Sequence, residues 1–156
     1  MLQRILGCLL LTTLSICCMG QSKSREFYEL RIYSYTDSSQ ERVLDGYLEK
    51  ALIPALARRK VIHVGAFKAI SNDTGKVKTL YVLIPYSSFA QSADITRALA
   101  KDAAYQSAGS GYLDAGFATP PYTRMQSIFL EAFPMAPVAL VSRLKSPLAD
   151  RVYELR

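Results

Sequence analysis

The chain has no tryptophan, one histidine and three cysteines in 156 residues. The cysteines, Cys8, Cys17 and Cys18, all fall within the first twenty positions. Beyond them there is no thiol to form a disulfide, attack a substrate or ligate a metal, so the remainder must fold on core burial alone. With His63 as the only imidazole, a transition-metal site lacks ligands and no metal is expected. No apolar run reaches the ~20 residues that a membrane-spanning helix needs. The glycine-based motifs are missing too. Gly75-Lys76 lacks the upstream glycine and following hydroxyl of a phosphate loop, and Gly109-Ser110-Gly111 lacks the Gly-x-Ser-x-Gly elbow after a strand. On these grounds neither a cofactor nor a catalytic residue is expected.

What is present begins with a leader over residues 1–20. A basic start at Arg4 precedes an apolar run from Ile5 to Ile16, and Cys18 and Gly20 stand at −3 and −1 of a cut before Gln21. This is the pattern of a secretory signal peptide, and it predicts an exported protein, periplasmic or secreted. The alternative is a lipoprotein anchored through Cys17, with Leu14-Ser15-Ile16-Cys17 as the box. Ile16 is bulky where such boxes hold a small residue, which ranks anchoring second. Removing the leader leaves 136 residues (156 − 20), enough for one ordinary core, with 18 basic and 13 acidic side chains. The basic residues are scattered. The one cluster, Arg58-Arg59-Lys60, sits where a helix ends and its dipole favours cations. Nothing pairs a basic stripe with stacking aromatics, so nucleic acid is not an expected partner.

The chain repeats one phrase. Tyr28-Glu29-Leu30-Arg31 returns as Tyr153-Glu154-Leu155-Arg156, at an offset of 125 (153 − 28). That distance is too long for a solenoid repeat and fits a duplicated domain. The expected organisation is one domain over residues 25–133 and a linker over 134–150 punctuated by Pro134, Pro137 and Pro147. The start of a second repeat follows at 151–156, where the chain is cut short.

Within the domain, Phe27 to Tyr35 alternates as a strand. Ser38 and Glu41 form a capping box that opens a helix to about Arg59, with a kink or the start of a second short segment at Pro54. Val61–Ile70 and Val77–Pro85 read as a hairpin around a turn at 71–75, where Asn72-Asp73-Thr74 matches a glycosylation sequon. Ser88 with Gln91 opens a second helix, Asp102 caps a third, and Arg124–Phe133 is a fourth strand. The order β-α-β-β-α-β is the ferredoxin-like plan, an α+β fold with an antiparallel sheet and helices on one face. Strand three is apolar on both faces (Leu80, Val82 and Ile84 against Tyr81 and Leu83), and strand four nearly so. The face without helices would leave a large apolar patch wet, so a second copy of the same domain is expected against it, as a homodimer or a tandem repeat.

These segments resemble the NIPSNAP family, whose domains are ferredoxin-like units that pair into dimeric α/β barrels. Phe27-Tyr28-Glu29-Leu30-Arg31-Ile32-Tyr33 is similar to the family's first strand. Ala51-Leu52-Ile53-Pro54 and Val64-Gly65-Ala66-Phe67 match the next two landmarks. Leu99 to Tyr105 resembles the second-helix region, with Ala103 where proline is usual and Tyr105 where tryptophan is usual. The resemblance covers about Glu26 to Phe133. It implies that exported members often carry two such domains in tandem, and it implies no particular reaction.

Four residues are candidates for a site. Leu30 and Ile32 are expected to face the helices, which sends Glu29, Arg31 and Tyr33 to the opposite side, into the barrel or pair interface. There they would hold a small hydrophobic ligand, or serve as an ion pair that orients the interface, the weightier reading. His63 is the general-base candidate and shares a strand face with Gly65 and Phe67, though a lone histidine on a strand is more often merely packed. Tyr33, Tyr35, Tyr81 and Tyr86 are read as strand residues with hydroxyls toward water or a partner. The expected function is that of a dimerising or small-molecule-binding module. The alternative is a cofactor-independent oxygenase-like enzyme with His63, or Arg31 and a tyrosine, converging on a closed cavity.

Overall fold

The structure, a computed structural model, describes residues 24–141 and 143–154. The leader, its three cysteines and the lipidation box lie outside the described residues. Four strands, β1 (Phe27–Tyr35), β2 (Gly65–Lys68), β3 (Lys78–Tyr86) and β4 (Arg124–Glu131), form one antiparallel sheet in the order β2-β3-β1-β4. With helices between β1 and β2 and between β3 and β4, this is the expected ferredoxin-like arrangement. β1 is central, paired along its whole length with β3 and along residues 27–34 with β4. Among the described residues, no helix is long and apolar enough to cross a membrane.

The first helical stretch runs unbroken through three geometries: α1 (Ser38–Tyr47), a π turn (Leu48–Leu52) and α2 (Ile53–Arg58). Of the two outcomes expected at Pro54, the second is found: a short segment, α2, starts there with the proline in its first turn, directly after the π turn. Proline has no N–H to donate and its ring crowds the carbonyl four residues back, and a wider turn just before it relieves both demands. The cap also shifts by one residue. Asp37, not Ser38, is the N-cap, accepting from the N–H groups of Ser39 and Gln40. Ser88 and Asp102 cap α3 (Phe89–Leu99) and α4 (Ala103–Leu113) as the sequence implies. Gly109 is buried where α4 crosses the π turn; a Cβ there would stand 3.2 Å from that of Ala51, so glycine sets the approach.

The end of α2 is a complete Schellman motif. The Lys60 N–H donates to the Ala57 carbonyl (3.0 Å) and the Val61 N–H to that of Leu56 (3.0 Å). The motif needs a left-handed residue, and Lys60 supplies it with φ 62°, where glycine is usual. His63, with φ 65°, is the only other non-glycine residue with positive φ among the described residues. The second strand is therefore four residues long rather than ten, because its first half is taken up by this left-handed loop.

The sheet has two unlike faces. Phe27, Glu29, Arg31, Tyr33 and Tyr35 of β1 and Leu80, Val82, Ile84 and Tyr86 of β3 look toward the helices, and the core gathers there with Leu44, Leu48, Leu52 and Leu56. Tyr28, Leu30 and Ile32, with Tyr81 and Leu83 of β3 and Ile128 and Leu130 of β4, form the open face. After β4 the chain turns back, held by the Glu26 N–H on the Pro137 carbonyl (2.8 Å) and the Ala139 N–H on the Glu26 carboxylate (2.9 Å). This strap ends beside β2, where Tyr153 packs on Phe67 with ring centroids 5.1 Å apart.

A left-handed lysine costs about 1–2 kcal/mol relative to glycine. Allowing for the looser unfolded chain that glycine brings, Lys60→Gly is expected to raise stability by about 0.5–1 kcal/mol, read as a higher urea midpoint at unchanged slope.

Candidate functional site

Glu29 and Arg31 lie two residues apart on β1 and so share a face. Arg31 grips the Glu29 carboxylate bidentately, Nε donating at 2.7 Å and Nη2 at 3.0 Å. Two hydroxyls complete the carboxylate's shell: Tyr86 from β3 at 3.1 Å and Ser127 from β4 at 2.8 Å. The pair's side chains are 17% exposed (Arg31) and 9% exposed (Glu29). The expected orientation is thus reversed. The pair and Tyr33 face the helices, not the open side of the sheet.

The reason is a balance within β1. The face that carries the charges also carries Phe27, Tyr33 and Tyr35, and the last two are fully buried. Burying those aromatics against Leu80, Val82 and Ile84 outweighs the cost of burying two charges, once each is paired and the carboxylate has four donors. No buried side-chain polar atom among the described residues is left without a partner.

Around the pair lies a seam of phenols from the helices, from β1 and from the segment before β4. Tyr47 of α1 stacks on Tyr112 of α4 (centroids 3.9 Å, planes 9° apart) and shares a 2.8 Å hydroxyl contact with Tyr105. Tyr112 donates to the Tyr33 hydroxyl at 3.3 Å, and Tyr122 lies against both rings. Of the four strand tyrosines expected to point at water or a partner, only Tyr81 is on the open face. Tyr33, Tyr35 and Tyr86 are buried, and Tyr86 is bonded to Glu29. A clue was legible: Tyr47, Tyr105 and Tyr112 sit on the inward sides of their helices, at spacings that join one stripe.

Electrostatically the seam is quiet. Burial raises the Glu29 pKa, but the hydrogen bonds and charge of Arg31, then Ser127 and Tyr86, outweigh it and hold the carboxyl below its ordinary value. Burial pushes the phenols of Tyr47, Tyr86 and Tyr112 well up. They remain protonated hydrogen-bond donors and cannot act as bases near neutral pH.

His63 is elsewhere. It stands exposed in the loop before β2, not on the strand with Gly65 and Phe67. It lines a trough between the strap and the open face that none of Glu29, Arg31 or Tyr33 reaches. The structure therefore does not bring the four candidates together: His63 lies apart from Glu29, Arg31 and Tyr33. No cluster of three potential metal ligands occurs among the described residues either. The Asn72 sequon is committed to the fold: its amide donates to the Thr79 carbonyl (2.9 Å) and accepts from the Thr79 N–H (2.8 Å).

No family model and no curated protein matches the chain. Solved structures do. A NIPSNAP family protein of unknown function from Agrobacterium tumefaciens C58 superposes with a TM-score of 0.55, at 15% identity over 75% of this chain and 96% of that one. An uncharacterised NIPSNAP-like domain protein from Burkholderia xenovorans gives 0.51, at 19% identity over 80% of this chain and 92% of that one. The chain shares their fold.

Because the folded pKa of Glu29 lies below its ordinary value near 4.5, its stabilisation is fully present above that pH and is lost as pH falls through the folded pKa. Glu29→Gln leaves Arg31 buried without its counter-charge, and should cost about 3 kcal/mol near neutral pH. The gap to the parent chain should narrow as the pH drops below 4.5, read from urea midpoints at a series of pH values.

Proposed function

We propose that this chain is a NIPSNAP-type domain of an exported protein, and that it works by pairing its open sheet face with a second copy of the same fold. One observation carries the reading: β4 is exposed at all eight of its positions. On its open-face side Ile128 and Leu130 are 40% and 41% exposed, beside Ile32 of β1. An edge strand with apolar side chains on both faces and unpaired backbone groups is a surface that soluble proteins ordinarily cover. The likeness to NIPSNAP structures supports the fold on which such pairing is built. The leader pattern supports export, with membrane tethering through Cys17 as the rival address.

Pairing also suits the architecture energetically. The helices already bury the β1 and β3 part of one face, so a partner need contribute only a second layer on the other, against β1 and β4. The Glu29–Arg31 pair, locked beneath the helices, then fixes the register of the central strand that presents that face. On this reading the charged pair is structural, and the work is done by association.

Light scattering of the leader-free chain across a concentration series should show a dimer. Ile128→Glu with Leu130→Glu should give a monomer with an unchanged far-ultraviolet circular dichroism spectrum, since both positions are already partly exposed. A parent chain that stays a monodisperse monomer at every concentration would overturn the proposal.

A further inference from the structure

The open face is not bare along its whole width. The strap crosses its β2–β3 half and leaves a trough of about 1440 Å³ beneath it. That exceeds the roughly 300–1,000 Å³ of ordinary small-molecule sites. Phe67, Leu83 and Pro85 form the sheet side, and Leu140, Leu148 and Val152 stand along the strap side. These three strap residues line the trough yet remain largely exposed, so the strap holds apolar surface in place that the chain itself does not cover.

The trough is also charged, and unevenly. Its lining holds four cations, Arg25, Lys60, Lys68 and Arg151, against one carboxylate, Glu26. Three of the cations are engaged: Arg25 with Glu131, Lys68 with Glu41 and Asp45, and Arg151 with the carbonyls of Leu144 and Ser146. Lys60 has no ion pair or side-chain hydrogen bond among the described residues, and nor does His63, three positions on in the same loop. Among the described residues, these are the two held at left-handed φ without being glycine. A loop that accepts that strain twice, and places two free nitrogen groups at one trough, is poised for an anionic head. A second copy of this chain is a poorer occupant here, because it brings the same positive balance, +6 over the whole chain.

We infer that the trough binds a single-chain amphiphile with an anionic head, of the fatty-acid class. The carboxylate meets Lys60 and His63, and the alkyl chain lies between Phe67 and Leu83 on one side and the strap on the other. The site is built within one chain, so it does not require the pairing proposed above, which uses the β1–β4 half of the face.

The test is a fluorescence titration of the protein with cis-parinarate, competed by laurate below its micelle concentration and by the uncharged dodecanol. The expected result is saturable binding at one probe per chain, displaced by laurate at least about tenfold more effectively than by dodecanol. Lys60→Gly and the double variant with His63→Gly relieve backbone strain, so both should fold at least as stably as the parent. They should nevertheless weaken parinarate binding by about tenfold or more. Three outcomes would overturn the inference: no saturable binding, equal displacement by dodecanol, or unchanged affinity in the glycine variants. Sedimentation with phosphatidylglycerol vesicles separates the sources of the head group. Capture by the vesicles without stoichiometric parinarate binding would assign the cations to a lipid surface and also refute the site. Light scattering on the same samples reports pairing independently, so the failure of one proposal is not mistaken for that of the other.

Discussion

The ion pair between Glu29 and Arg31 is the constraint around which the rest of the sheet is arranged. It sits on the central strand, under the helices, and draws one hydroxyl from each neighbouring strand, Tyr86 of β3 and Ser127 of β4. A slip of β1 by one residue would turn the pair to the open face and carry Tyr33 and Tyr35 out of the core with it. The carboxylate's two hydroxyl bonds would be lost in the same movement. Burying a charged pair is poor economy as a source of net stability, since well-packed apolar groups of similar size often do as well. Its value lies in specificity, because only one register of three strands satisfies all four donors.

That constraint divides the molecule into a closed half and an open half. On the closed side the pair continues into stacked phenols from α1, α4 and the segment before β4, and burial pushes the phenols of Tyr47 and Tyr112 well up. On the open side the apolar residues of β1, β3 and β4 look away from the core, and the strap runs over part of them, from Glu26 to β2. The closed side is taken up by internal pairing, whereas the open side offers apolar surface for recognition. This asymmetry is what moves the functional reading from reaction toward association and binding.

Much of the fold was legible because the patterns that specify it are local. The nine residues of β1, the caps at Ser88 and Asp102 and the order of elements all follow from short-range alternation, capping and turn chemistry. What was not legible depended on contacts distant in sequence. The orientation of β1 could not be settled from Leu30 and Ile32 alone, because the cost of turning Glu29 inward is set by Tyr86, 57 residues away, and Ser127, 98 away. The π turn before Pro54 is likewise a compromise between a local rule and the packing of α4 at Gly109. The shortness of β2 follows from the Schellman motif at Lys60, where lysine gave no hint of the left-handed backbone that glycine would have signalled.

That last case bears on function as well as on fold. A lysine and a histidine held left-handed within one loop each carry a backbone penalty that glycine at the same positions would remove. Neither side chain repays it through an ion pair or a hydrogen bond within the described residues. The buried pair on β1 shows the opposite arrangement, where every unfavourable burial is met by a partner inside the domain. Where strain is answered internally, structure is sufficient to explain the residues. Where it is left unanswered beside an apolar trough, the anionic ligand proposed above would supply the compensating interaction.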